Sequence, residues 1–91
     1  MAPTNDELNV ELDPEAVRIG ATIRELRKAY GLKVTELAEE VGISRPYLSN
    51  VEAGRKQATR VLCAQIAGVL NVPLAAIVSS TYRDYAEAGE P

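Results

Sequence analysis

Several residue types are rare or missing in this chain, and each absence excludes a class of function. The 91 residues contain no histidine, a single cysteine and no aromatic side chain other than four tyrosines. Without histidine the chain lacks the usual general base and the commonest metal ligand. One cysteine, Cys63, excludes an intrachain disulfide and a cysteine-cluster metal site. No nucleophile–base pair can therefore be assembled, so the sequence predicts a protein that is not an enzyme and has no metal or other cofactor.

Two further absences concern cellular location. The N-terminal segment MAPTNDELNVELDPE has neither the basic nor the apolar region of a secretory signal. Residues 61–78 are largely apolar, but Gln65, Asn71 and Pro73 interrupt them, so they do not predict a membrane span. A lone cysteine also fits a reducing compartment. We therefore expect a cytoplasmic protein without a membrane partner.

Charge is distributed unevenly along the chain. The net charge is −3, which taken alone argues against a nucleic-acid partner. Residues 17–60, however, contain nine bases and five acids and carry +4, whereas residues 1–16 carry −5 and residues 61–91 carry −2. A basic centre between acidic ends favours a polyanionic partner, although scattered surface charge would give the same totals.

Apolar periodicity and capping residues predict an all-α chain of five helices. The first is expected to run from about Pro14 to Tyr30, with Asp13 as its cap. Its inward face is expected to contain Ile19, Ile23, Leu26 and Tyr30. The second lies in KVTELAEEVG, and the third begins after the cap Ser44 and ends near Ala53. The fourth and fifth are expected over residues 60–70, after a threonine cap, and 74–78.

The second and third predicted helices are short and are joined by a tight turn at a glycine. This arrangement is typical of a helix-turn-helix unit, whose second helix lies in the DNA major groove. Leu48 and Val51 are expected to face the core, which leaves an exposed outer face formed by Pro46, Ser49, Asn50 and Ala53. That face is uncharged and rich in hydrogen-bonding groups. Asn50 can pair bidentately with adenine, and Arg45 can reach the O6 and N7 atoms of guanine.

The chain from residue 19 to residue 78 resembles the Xre/Cro-type (lambda-repressor-like) helix-turn-helix domain. The segments that carry the resemblance are IGATIRELRKAYGLKVTELAEEVGIS, YLSNVEAGRK and LCAQIAGVLNVPLAAI. The resemblance implies five helices, binding to double-stranded operator DNA and usually a dimer on a near-palindromic site. We divide the chain into a flexible acidic arm (1–12), the helix-turn-helix domain (13–78) and a short C-terminal tail (79–91).

The resemblance also implies roles for individual positions. The base-reading or groove-facing positions are matched by Arg45, Pro46, Tyr47, Ser49 and Asn50. The phosphate-contacting positions are matched by Lys33, Thr35, Ser44, Arg55, Lys56 and Arg60. Arg27 and Glu52 match positions at which many members hold a partly buried ion pair between the first and third helices. Their spacing agrees, since it places both beside the apolar face of their helix.

Three positions depart from the family's pattern. Val34 stands where a glutamine usually contacts phosphate, so by spacing it is better interpreted as a core residue, and Lys33 is left to supply a contact. Ala58 replaces the usual proline before the fourth helix, which implies a looser basic loop. Arg60 replaces a commonly apolar residue, and the sequence leaves open whether it contacts phosphate or is only solvated.

These observations predict a transcriptional regulator of phage or prophage type that represses by occluding promoter DNA. Surplus apolar surface on the fourth and fifth helices predicts a homodimer through Val69, Leu74, Ile77 and Val78. The alternative is an antitoxin or protein-interaction module with the same fold. In that case the arm, or the tail with Tyr82 and Tyr85, would bind a toxin or another protein.

Overall fold

The computed structural model describes residues 12–79, and these residues form five α-helices joined by short connections. The helices are α1 (Pro14–Tyr30), α2 (Val34–Val41), α3 (Arg45–Glu52), α4 (Arg60–Leu70) and α5 (Leu74–Val78). No strand occurs within this range. The prediction of an all-α fold with five helices is therefore confirmed. Apart from residue 12, the proposed arm lies outside the described residues, as does the proposed tail apart from residue 79.

Local hydrogen bonds explain where the helices begin. The side chains of Asp13, Ser44 and Thr59 each accept a hydrogen bond from a backbone N–H in the first turn of α1, α3 and α4, at 3.2, 3.1 and 3.0 Å. These are the capping contacts that the sequence predicts. At the start of α2 the Glu36 carboxylate accepts a hydrogen bond from the backbone N–H of Lys33 at 2.7 Å. Glycines with φ of 91° and 77° end α1 and α2.

The core is aliphatic and centres on α4. Its buried members are Ile23, Leu37, Ala38, Leu48, Val51, Leu62, Cys63, Ile66, Ala67, Leu70 and Ile77. The Cys63 residue is 1% exposed. Burial raises the pKa of its thiol, and the nearby charge of Arg60 lowers that pKa by a smaller amount. The thiol is therefore a neutral core group.

Two expectations about apolar residues are wrong. Tyr30 is 54% exposed, although its spacing placed it on the inward face of α1. The buried positions of α1 are Ala16, Gly20, Ile23 and Arg27, and of these apolar periodicity reveals only Ile23. Ile77 was expected at a dimer surface, but it is fully buried in the protein's own core. The short α5 turns Ile77 inward against α4, so this side chain is not available to a second copy.

Helix α3 lies unusually close to α1 because Gly20 has no side chain. A Cβ atom at this position would lie 2.1 Å from the carbonyl oxygen of Val51 and 2.8 Å from that of Glu52. On the other side of α1, Arg18 donates a hydrogen bond to the carbonyl oxygen of Val78 at 2.8 Å and so connects α1 to the end of α5. None of the helices within residues 12–79 has the length and apolar character that a membrane crossing requires.

Candidate nucleic-acid interface

Helix α3 has one buried side and one side open to solvent. Leu48 and Val51 are 0% and 1% exposed, as the sequence predicts. Arg45 and Pro46 occupy the first turn of α3 and are exposed. The proline removes no helical hydrogen bond here, because the backbone N–H groups of the first turn have no acceptor within the helix. The start of α3 can therefore approach a partner closely.

The rest of the outer face is less exposed than the sequence suggests. Ser49 and Asn50 are half-buried rather than exposed, and Tyr47 is half-buried and packs against the core. Ser49 lies in one groove with Arg27 of α1 and Val34 of α2, whereas the Asn50 side chain is hydrogen-bonded to Arg55 of the following loop. Full exposure was therefore a wrong expectation for Ser49 and Asn50.

An ion pair fastens α3 to α1. The Nε atom of Arg27 donates to Oε2 of Glu52 at 2.7 Å, and Nη2 donates to Oε1 at 2.9 Å. The Nη1 atom donates to the backbone carbonyl oxygen of Leu32 at 2.8 Å. The side chains of the pair are 11% and 7% exposed. The hydrogen bond to Glu52 raises the pKa of the Arg27 guanidinium, although burial acts in the opposite direction. The pair therefore joins α1, the connection to α2 and the end of α3.

The side chain of Asn50 is hydrogen-bonded to that of Arg55. The Nε atom of Arg55 donates to Oδ1 of Asn50 at 3.2 Å. The backbone carbonyl of Asn50 also accepts hydrogen bonds from the backbone N–H groups of Arg55 and Lys56, at 2.9 and 3.3 Å. The resemblance assigns base reading to Asn50 and phosphate contact to Arg55, yet the two side chains form one unit in the structure.

The basic loop after α3, residues 55–58, is also attached to the start of α1. The Nε2 atom of Gln57 donates to Oδ2 of Asp13 at 2.8 Å. Ala58 packs against the core, while the Lys56 side chain is exposed. Asp13 therefore has two roles, since its other carboxylate oxygen caps α1. These contacts hold both ends of a loop for which the missing proline had implied looseness.

The N-terminal end of α2 presents polar groups on both sides of a half-buried valine. Lys33 and Thr35 are exposed, whereas Val34 is half-buried and packs against the core, as its spacing indicates. Arg60 is exposed at the first position of α4. The Ser44 hydroxyl oxygen accepts the capping hydrogen bond, which leaves its own O–H free to donate.

Most of the basic residues in residues 12–79 have no acidic partner. The two ion pairs in this range join Arg18 to Glu15 and Arg27 to Glu52. The exposed cations outside these pairs are Arg24, Lys28, Lys33, Arg45, Arg55, Lys56 and Arg60. Uncompensated cations on the helix-turn-helix unit and beside it provide the charge that a polyanion requires.

A protein-family model described as helix-turn-helix matches residues 23–77, which is more than half of the chain. The chain belongs to the helix-turn-helix family. Its fold and its similarity to Xre-like regulators identify it as an Xre/Cro-type member, as the resemblance implied.

Curated and solved relatives of this helix-turn-helix protein agree with that assignment. The ImmF control region 10 kDa protein of Bacillus phage phi105 is 40% identical over 57 residues, which are 63% of each chain. The clp gene regulator ClgR from C. glutamicum has a TM-score of 0.69 at 31% identity, over 74% of this chain and 86% of that one. The restriction-modification controller protein C.AhdI from Aeromonas hydrophila has a TM-score of 0.68 at 31% identity, over 71% of this chain and 98% of that one. The chain spans less than two thirds of the length of the curated relatives it matches.

Three residues of this helix-turn-helix protein join the candidate interface without having been predicted there. Asp13 and Gln57 anchor the basic loop, and they are 44 positions apart, so no local pattern connects them. Arg24 lines a groove beside α3. The only signal for Arg24 in the sequence is that it stands three residues before Arg27 and therefore on a neighbouring part of the same helix face.

Proposed function

We propose that this protein is a sequence-specific regulator of transcription that binds double-stranded DNA with α3 in the major groove. The observation that carries the proposal is the division of α3 into two sides. Leu48, Val51 and the Glu52 carboxylate hold one side to the body of the domain, while the other side begins with exposed Arg45 and Pro46. A helix held in this way can enter a groove without losing its anchors.

The proposed contacts divide into those that read bases and those that hold the backbone. In this assignment Arg45, Pro46, Tyr47, Ser49 and Asn50 face the base edges, and the bidentate pairs formed by Arg45 and Asn50 supply the discrimination. The phosphates are contacted by Lys33, Thr35, Ser44, Arg55, Lys56 and Arg60, all exposed in the structure. The position of Arg55 beside Asn50 supports a direct connection between the two sets.

We further propose that the protein acts in the cytoplasm as a repressor by occluding promoter DNA. Its similarity to a protein named for a phage control region supports a role in phage or prophage regulation. Occlusion requires no contact with polymerase, because bound protein excludes other proteins from the same duplex.

A homodimer is the third part of the proposal. Residues 61–79, which include most of α4 and all of α5, carry no charged side chain. Val61 is 68% exposed, and Val69, Leu74 and Val78 are half-buried. An uncharged surface of this kind suits association with a second copy, and a two-fold dimer would place half-sites about one helical turn apart. The antitoxin alternative rests on an arm and a tail outside the described residues, and we do not propose it.

Selection from a random duplex pool tests the proposal. The wild-type protein is expected to enrich a near-palindromic motif at low salt, and its affinity for that motif is expected to fall steeply as salt rises. A variant in which Arg45 and Asn50 are both alanine is the matched control and is expected to bind duplex DNA without enriching a motif. Absence of binding by the wild-type protein to any duplex at low salt would contradict the proposal. Light scattering of the protein on one full site measures the stoichiometry, and a single copy there would contradict the dimer.

A further inference from the structure

A small open groove lies where α1, α2 and α3 meet. It is lined by Arg24, Arg27, Val34, Ser49, Glu52 and Ala53 and has a volume of about 230 Å³. Sites for drug-sized molecules usually measure about 300–1,000 Å³ and enclose their ligand. A small-molecule effector therefore fits this groove poorly. A single phosphate group is much smaller and can be bound from one side.

One uncompensated charge points to the kind of occupant. The Arg27 guanidinium and the Glu52 carboxylate neutralise each other, and the nitrogens of Arg27 are occupied by Glu52 and by the carbonyl of Leu32. Arg24 is exposed and makes no hydrogen bond or ion pair with any residue in the described range. The lining thus carries a net positive charge that comes from Arg24 alone, and an anion is the complementary ligand.

The position of the groove identifies which anion would reach it. When the second helix of a helix-turn-helix unit lies in the major groove, the first helix crosses the DNA backbone. Val34 is the first residue of α2, and Ser49 lies on α3 across the groove. A backbone phosphate that passes the start of α2 therefore comes to the mouth of this groove. The side chain of Val34 has no donor with which to hold that phosphate.

We infer that Arg24 of α1 binds this backbone phosphate and supplies the side-chain contact that Val34 cannot make. The inference rests on the proposed binding to DNA. The planar guanidinium donates two parallel hydrogen bonds to the oxygens of one phosphate, and the Ser49 hydroxyl lies on the same groove. Helix α1 thereby becomes part of the DNA-binding surface, although the helix-turn-helix unit proper consists of α2 and α3.

The test compares Arg24→Gln with Lys28→Gln. Both substitutions remove one unit of charge from an exposed, unpaired side chain of α1, but Lys28 does not line the groove. Affinities are measured on the selected duplex and on a scrambled duplex at two salt concentrations. Arg24→Gln is expected to weaken binding to both duplexes about tenfold at low salt. It is also expected to reduce the slope of log affinity against log salt concentration by about one unit. Lys28→Gln is expected to change the slope much less.

Ethylation interference locates the contact. Ethylation of one particular phosphate per half-site is expected to inhibit the wild-type protein and Lys28→Gln, and to have no effect on Arg24→Gln. If wild-type protein binds DNA but the two variants give the same slope and the same interference pattern, Arg24 does not contact phosphate and the inference is wrong. If wild-type protein binds no DNA, the proposed function itself fails, which is a different result.

Two additional variants keep the outcome decisive. If Arg24→Gln lowers the melting temperature, Arg24→Lys takes its place, since it keeps the charge but not the two parallel donors. Arg24→Lys is expected to bind with intermediate affinity, and full wild-type affinity would contradict a bidentate contact. Adding Val34→Gln to Arg24→Gln is expected to recover part of the lost affinity and the interference signal at that phosphate. If the double variant recovers no affinity, a glutamine donor at position 34 cannot replace the Arg24 donor, which would contradict the inference that both serve the same phosphate.

Discussion

Helices α3 and α4 are held in the domain by different means. The eleven residues of α4 include five buried ones, Leu62, Cys63, Ile66, Ala67 and Leu70. The eight residues of α3 include two, Leu48 and Val51. To these α3 adds the ion pair between Glu52 and Arg27 and a backbone contact with Gly20 that is too close for any side chain.

The difference follows from what each helix must leave free. Burial of a large aliphatic side chain contributes about 1.5–3 kcal/mol, so Leu62, Ile66 and Leu70 contribute most of the stabilisation that holds α4. A third or fourth large apolar side chain on α3 would occupy the face that is proposed to read bases. A buried charge pair and a close glycine contact attach α3 through its inner edge alone. Helix α3 is therefore fixed strongly although it buries little apolar surface.

The largest effect is expected when the ion pair loses one partner. Glu52→Ala leaves the buried Arg27 guanidinium without its carboxylate and is expected to destabilise the domain by about 3–5 kcal/mol. Urea unfolding monitored by helical circular dichroism measures this loss. Glu25→Ala is the control, because Glu25 is exposed and unpaired, and its effect is expected to stay within about 0.5 kcal/mol. Equal, small effects of both substitutions would mean that α3 is held by apolar contacts alone.

Truncation of a buried leucine tests the apolar part of the contrast. Leu48→Ala in α3 and Leu62→Ala in α4 each remove a buried side chain and are each expected to cost about 2–5 kcal/mol. Glu39→Ala, at an exposed position of α2, is expected to change stability by less than about 0.5 kcal/mol. The same urea titrations report all three variants. A loss of stability in Glu39→Ala as large as that in Leu48→Ala would contradict the assignment of the core.

Substitution of two glycines by alanine is expected to change the stability of the domain in opposite directions. Gly20→Ala places a Cβ 2.1 Å from the backbone oxygen of Val51 in α3, and is expected to cost about 1–3 kcal/mol as α1 and α3 move apart. Gly68→Ala places a Cβ in open space on α4 and is expected to stabilise the domain by about 0.5–1 kcal/mol. Melting temperatures of the two variants should move in opposite directions. A shift in the same direction would refute the close approach of α1 and α3.

The last pair of substitutions is expected to change binding and to leave folding unaffected. Asn50→Ala is expected to cost about 1–3 kcal/mol on the selected site and to flatten the preference at one base pair. Lys56→Ala is expected to weaken selected and scrambled duplexes alike, with a salt slope lower by about one unit. Titration of both variants on both duplexes separates the two roles. Equal loss by Asn50→Ala on the two duplexes would show that α3 does not read bases through Asn50.

The helices could be predicted from sequence because their signals are local. Asp13, Ser44 and Thr59 each accept their capping bond from a neighbouring turn, and glycines end α1 and α2, so the bounds follow from nearby residues. The ion pair was also expected, in part because the family resemblance pointed to it. The depth to which a side chain is buried, in contrast, could not be predicted from nearby residues. Tyr30 and Ser49 were misjudged because periodicity gives direction around one helix but not the position of its neighbours.

The groove at Arg24 could not be found from the sequence for a related reason. Its lining comes from three helices, and the close packing at Gly20 sets the distance between two of them, α1 and α3. The hydrogen bond between Asn50 and Arg55 likewise depends on the path of the chain after α3, where two backbone N–H groups converge on one carbonyl. Such features arise from tertiary geometry that residue spacing does not encode.

Because Cys63 is buried, its reaction with a thiol reagent reports when α4 separates from the core. Cys63 is the chain's single thiol, it is 1% exposed, and its raised pKa keeps it in the unreactive form. A thiol reagent can therefore modify the protein only in molecules whose α4 has left the core, so the labelling rate follows the population of opened molecules. Any duplex that binds only the folded domain should slow that reaction in proportion to its occupancy. The stability of the unmodified chain can therefore be measured from its rate of thiol labelling, followed by mass spectrometry.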